Sequence, residues 1–203
     1  MNEVNNRCAW VDETNDQYIK YHDLEWGVPI YNDHIHFEFL TLEGAQAGLS
    51  WSTILNKREG YRRIFFNFDP IKVATLKSDD VEKILRDTGI VRNRMKIQST
   101  ISNAKAFINV QEEFGSFNKY VWGFVGFQPK QSSINNKSEY LSSSPDSDKL
   151  SSDLKKRGFS FVGSKIIYAY MQAIGMVNDH EVRCFRFTKC FKLGKDINSK
   201  SFV

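Results

Sequence analysis

Almost no stretch of this chain alternates strictly between apolar and polar residues, the period that makes a half-buried strand. Apolar residues recur at helical spacing instead, and residues that start or stop helices punctuate them. Phe37 to Leu49 is rich in Leu, Ala and Gly and ends at Gly48 or just beyond. Thr53 to Phe68 places Ile54, Leu55, Tyr61, Ile64 and Phe65 on one face. Asp69-Pro70 breaks that helix and begins another, and Ser78 is placed to cap a helix through Leu85. Arg92 to Phe107 reads as a long basic amphipathic helix and Phe117 to Phe127 as a short aromatic one. Gln128 to Asp153 is polar and Ser-rich and reads as an exposed loop. Within it Ser144-Pro145-Asp146 supplies a capping hydroxyl, a first-turn proline and an acid, which predicts a helix to Arg157 that stops at Gly158. The pattern predicts an all-α fold in a single unit, with no internal repeat and no long linker.

Composition narrows the function classes. With 203 residues and 41% hydrophobic residues the chain can bury a core and is not disordered. No apolar run approaches the ~18 residues of a membrane span, and the N-terminal MNEVNNRC is too polar for a signal peptide. The three cysteines, Cys8, Cys184 and Cys190, make no disulfide framework. A soluble, cytoplasmic protein is expected. The net charge of +4 permits a nucleic-acid partner without requiring one.

Three motifs carry chemistry. Lys155 to Gly175, KKRGFSFVGSKIIYAYMQAIG, reads as helix, tight turn, helix. Glycines at 158 and 163 would leave backbone N–H groups bare at a helix N-terminus, where they can bind a DNA phosphate; an ordinary helical hairpin has the same pattern. HEVRC places His180 and Cys184 four apart, on one helical face. With Cys8 and His22 they would complete a closed Cys₂His₂ set joining the two ends of the chain, although buried thiols fit the same spacing. His34 and His36 are expected at the surface. In TLEGAQAGLSW, Glu43 stands among small and apolar residues, where a carboxylate needs partners, and Trp51 follows as a flat ring.

These stretches, together with CAWV, YIKYHDLEWGVP, FDPIKVA, GIVRNRMKI and GMVNDHEVRC, resemble the 3-methyladenine DNA glycosylase I family, the bacterial Tag type, from Cys8 to Cys184. The resemblance implies a helix-hairpin-helix glycosylase fold. Residues 30–175 would form the helical body, and 1–29 with 176–203 a small zinc-binding lobe, within one catalytic unit, 1–203. It implies one structural zinc on Cys8, His22, His180 and Cys184. It further implies a damaged-base pocket with Glu43 and Tyr21 as catalytic groups, Trp51 as a stacking plate, and Trp10, Tyr18 and Trp26 completing the wall.

The partner implied is double-stranded alkylated DNA, with free 3-methyladenine as product and a monomer as the working form. The hairpin, Gly158, Gly163, Ser164 and Lys165, would hold DNA, with Leu49 as a wedge in the vacated stack. Two residues leave chemistry open. Asp179 is the nearest candidate for the cation-stabilising aspartate of related helix-hairpin-helix glycosylases, which the Tag-type resemblance does not itself imply, and it also suits capping or support of the adjacent His180. Lys165 stands where bifunctional relatives carry a Schiff-base lysine, but it also suits a phosphate contact. The alternatives are therefore a glycosylase/lyase using Lys165 and a non-catalytic module that binds damaged DNA. Cys190 and the basic tail after Cys184 receive no role.

Overall fold

The computed structural model describes residues 6–195, and short polar side chains open most of its helices. Asn15 caps α1 (Asp16–Leu24), Asn32 caps α2 (Asp33–Gln46) and Ser50 caps α3 (Trp51–Ile64). Asp69 caps α4 (Pro70–Ala74), which has proline in its first turn. Then come α5 (Ser78–Ile84), α6 (Arg94–Phe114, capped by Asn93) and α7 (Phe117–Gly123, capped by Ser116). Ser144 caps α8 (Pro145–Lys156), and α9 (Ser164–Ala173) and α10 (Phe185–Lys195) follow. Each cap offers an oxygen to an N–H that the helix itself cannot satisfy. Among the described residues no helix is long and apolar enough to cross a membrane.

Helix α2 is the axis of the molecule. Every residue from His36 to Ala45 is buried, and α3, α6, α7 and α9 pack around it. A helix buried on all sides is central, and here the burial takes in His36, Glu38, Thr41 and Glu43 along with the apolar residues. That placement determines the surroundings of Glu43. Asp33, at the start of α2, accepts from the backbone N–H groups of Phe117 and Asn118 and from Gln111 Nε2, fixing α6 and α7 to it.

Several sequence expectations need correction. His36 is fully buried rather than at the surface: its ring bonds the Tyr170 hydroxyl at 2.7 Å and Asn118 Oδ1 at 3.2 Å, and burial lowers its pKa to about 4. His34 is exposed, as expected. The helix expected to reach Phe68 stops at Ile64, because Phe66, Asn67 and Phe68 turn to positive φ. Ser78 is a first-turn residue and not the cap; Asp80 reaches back to the Lys77 N–H at 3.0 Å. The aromatic helix ends at Gly123, before Gly126 and Phe127 adopt positive φ.

The stretch expected as an exposed loop from Gln128 is largely exposed, but it is also anchored. Lys130–Gln131 (β1) pairs in parallel with Val177–Asn178 (β2), in register Lys130 to Val177, and Ile134 bridges to Glu181. The all-α reading therefore gains one short parallel pair. The α8–turn–α9 hairpin is present, with Gly158 at φ +91°. It presses on α2 at Gly44, where a Cβ would sit 3.3 Å from Phe161.

Candidate active site and metal centre

Cys8, His22, His180 and Cys184 meet in the interior, all buried, with ligand atoms within 4.8 Å of one another. The Cys8 Sγ–His180 Nδ1 distance is 3.4 Å; from Cys184 Sγ, His22 Nε2 and His180 Nδ1 both lie at 3.5 Å. Metal–sulfur bonds near 2.3 Å and metal–nitrogen bonds near 2.05 Å at tetrahedral angles put S and N about 3.6 Å apart. These three S–N separations match edges of a tetrahedral site, and the four groups could hold a metal ion.

The outer ring nitrogens are also held: His22 Nδ1 meets Asp23 Oδ1 at 2.7 Å and His180 Nε2 meets the Trp26 carbonyl at 3.0 Å. Such contacts orient a histidine ligand and settle which nitrogen faces the metal. Left to themselves, the two thiols would share a proton, their mutual hydrogen bond raising Cys8 and depressing Cys184. A divalent cation removes that conflict by accepting both as thiolates. Cys190 is buried but lies outside the set.

Beside this cluster lies a cavity of about 360 Å³, and all six residues expected in the aromatic pocket line it: Trp10, Tyr18, Tyr21, Trp26, Glu43 and Trp51. The rings brace one another, Trp10 edge-on to Trp26 at 4.8 Å and to Tyr18 at 5.6 Å, and Tyr21 tilted against Trp51 at 5.1 Å. Glu43 reaches it from α2, 4% exposed, with no hydrogen-bond donor among the described residues. Burial pushes its carboxyl up to about 8. The Nε1–H groups of Trp10 and Trp51 are likewise buried without partners. A ring-walled cavity with one carboxyl suits a flat, polar-edged ligand.

Sequence reasoning missed part of the wall. Gln46 and Ala169 come from α2 and α9, and Gln172 is held by Asp179 at 2.7 Å. Lys137, Tyr140 and Leu141 come from the segment read as an exposed loop. Its only local signal was the Tyr140-Leu141 pair amid serines, since the anchoring contacts are long-range: the Tyr140 hydroxyl donates to Glu181 at 3.1 Å. Asp179 is buried and lies behind the cavity rather than on its wall, also accepting from the Tyr168 hydroxyl at 2.7 Å.

The expected DNA-facing residues divide in two. Leu49 and Lys165 line a smaller groove of about 260 Å³ that also contacts Glu43, Gln46 and Ala169, so it continues the main cavity. Gly163 lines a more open groove of about 580 Å³ with Lys155 and Phe161; this larger space offers no carboxyl. Gly158 forms the turn, and the Ser164 hydroxyl is engaged by Ser147 at 2.9 Å, leaving only its backbone for a ligand. Leu49 is 41% exposed.

Comparison with known proteins agrees with this geometry. Residues 10–187 match the methyladenine glycosylase family. The chain is 50% identical over 178 residues to DNA-3-methyladenine glycosylase 1 of Escherichia coli, covering 88% of this chain and 95% of that one. It is 40% identical to DNA-3-methyladenine glycosylase of Haemophilus influenzae, over 88% and 96% of the two chains. The fold superposes on 3-methyladenine DNA glycosylase I of Staphylococcus aureus, solved to explain 3-methyladenine recognition, with a TM-score of 0.86 at 33% identity, over 89% and 95% of the chains. On this evidence the chain belongs to the methyladenine glycosylase family.

Proposed function

We propose that this protein excises 3-methyladenine from double-stranded alkylated DNA by hydrolysis, as a monomeric base-excision repair enzyme of the cytoplasm, leaving an abasic site in an unbroken strand. The observation that carries the reading is the cavity itself, six aromatic side chains around one buried carboxyl. A pure DNA-binding module needs no enclosed pocket for one base.

Methylation at N3 makes the adenine cationic and weakens its bond to the sugar. The protein's task is then mostly selection: to take the flipped lesion and refuse normal adenine. Trp51 and Tyr21 attract a cationic purine through their faces, worth roughly 0.5–2 kcal/mol each. Glu43 accepts from the purine edge, and its charge favours the cation. Cleavage returns the C1′–N9 electron pair to the ring, so neutral 3-methyladenine leaves, while water supplies the hydroxyl at C1′ and releases its other proton to solvent. The bare N–H groups at the start of α9 hold a phosphate, Lys165 contacts the backbone beside them, and Leu49 fills the vacated stack.

In the same reading the four-ligand cluster holds one structural zinc. Four protein ligands leave no open position for a reacting water. The ion fixes His22, and through it the adjacent Tyr21, to the far end of the chain. Residues 1–29 and 176–203 then act as a zinc lobe on a body of 30–175; positions 1–5 and 196–203 of that lobe lie outside the described residues.

Titration with free bases tests the pocket. 3-Methyladenine should quench tryptophan fluorescence saturably, and adenine should need at least ~10-fold higher concentration. Equal responses to the two bases would remove the selection argument.

A further inference from the structure

Lys96 is a buried ammonium with no carboxylate partner among the described residues, 9% exposed. Its Nζ donates to the Ala45 carbonyl at 2.8 Å and the Ala47 carbonyl at 2.7 Å. These are orphan acceptors at the negative end of α2, where a cation is favoured. Burying an ammonium without a counter-ion is expensive, and here it is bonded instead to the backbone of one turn. That turn runs through Gly48 at φ +77° to Ser50, the cap of α3, and Leu49 N–H donates to the Gln46 carbonyl within it. Glu43 and Gln46 stand just before it and Trp51 just after it, and all three line the main cavity. Lys96 itself lines none of the cavities described above, and it is fixed on α6 by the Asn93 cap at 3.1 Å.

We infer that Lys96 is a positioning residue for the base pocket: its ammonium clamps the turn between α2 and α3 and so sets the Glu43 carboxyl against the Trp51 ring. The inference rests on reading that cavity as the base site. It gives Lys96 a role beyond stability, because releasing the clamp frees the two groups to move apart while each remains present.

The test compares Lys96→Met, which keeps the apolar stem, with the unsubstituted protein at a temperature where both are folded by circular dichroism. Single-turnover release of 3-methyladenine from methylated duplex should fall about 10- to 100-fold. Affinity for the free base should fall at least threefold, while affinity for undamaged duplex stays within twofold. A lysine that only stabilised the fold would lower Tm and leave rate and base affinity unchanged below it; that result overturns the inference. Should Lys96→Met not fold, Lys96→Arg keeps the charge but displaces the donors. It should then lose at least threefold in base affinity, and unsubstituted-level rate and affinity would overturn the inference equally. If the unsubstituted protein bound no 3-methyladenine, the base-site reading would fail first, and the two failures are thereby distinct.

Discussion

On the proposed reading selectivity turns on Glu43, and the burial of its carboxyl makes a signed prediction. Burial pushes its carboxyl up to about 8, so the free protein carries it largely neutral at pH 7 and charged above pH 8. A cationic base favours the charged form. kcat/KM for excision should therefore climb from pH 6 to about 8 and then level off. Glu43→Gln, neutral throughout, should lack that rise and lose about 10- to 100-fold at pH 8, the worth of a hydrogen bond to a charged group. A flat profile in the unsubstituted protein would contradict the assignment.

The same shift bears on stability. The folded pKa lies above the unfolded value of about 4.3, so the contribution of this group is full below that pH and lost as pH rises to about 8. Glu43→Gln should accordingly raise Tm relative to the unsubstituted protein at pH 8–9 and not at pH 4, in paired thermal melts. A site that costs stability and supports binding is a common trade.

At the scale of elements, the helices were legible where a cap or a breaker marked them. Ser144-Pro145 and Gly158 bracket α8 as local chemistry dictates. Where tertiary contacts decide, local pattern misled: His36 sits in a polar-looking stretch, yet the centrality of α2 buries it. The segment after Gln128 carries no strand pattern, and it is the pairing with Val177–Asn178 that orders it. The aromatic cavity-lining residues were legible because whole motifs carried them, whereas Tyr140, outside every motif, enters the wall through packing alone. Element junctions also carry stability. Gly175 follows α9 at φ +74°, and a Cβ there would sit 2.5 Å from the backbone of Val28 and Pro29. That strand of chain is bonded to α9 by Gly27 N–H to Gln172 O and Ile30 N–H to Ile174 O, both at 3.1 Å. Gly175→Ala should cost about 2–4 kcal/mol and lower Tm by about 5–15 °C; an unchanged melt would mean the junction yields freely.

At the scale of the whole molecule, the Cys and His groups join chain ends 172 residues apart, Cys8 to His180. Much of the aromatic wall hangs from that join: Tyr21 adjoins His22, and the Trp26 carbonyl accepts from His180. Cys184→Ala should abolish binding of one equivalent of zinc, measured by elemental analysis, and lower Tm by more than about 5 °C, or about 2 kcal/mol. Free-base affinity should fall with it, since the rings lose their anchor. Zinc retained at full stoichiometry would move the metal elsewhere.

On the proposed reading the ring-lined cavity receives a flipped 3-methyladenine for hydrolysis. The most direct test of that reading is base release from methylated duplex DNA, with the freed purines separated by chromatography and the strands examined for breaks. 3-Methyladenine should be released, with the strands intact until the abasic sites are cleaved with alkali. Folded, zinc-loaded protein that releases no purine would contradict the reading, and strand breaks that vanish in Lys165→Ala would replace the monofunctional enzyme with a lyase.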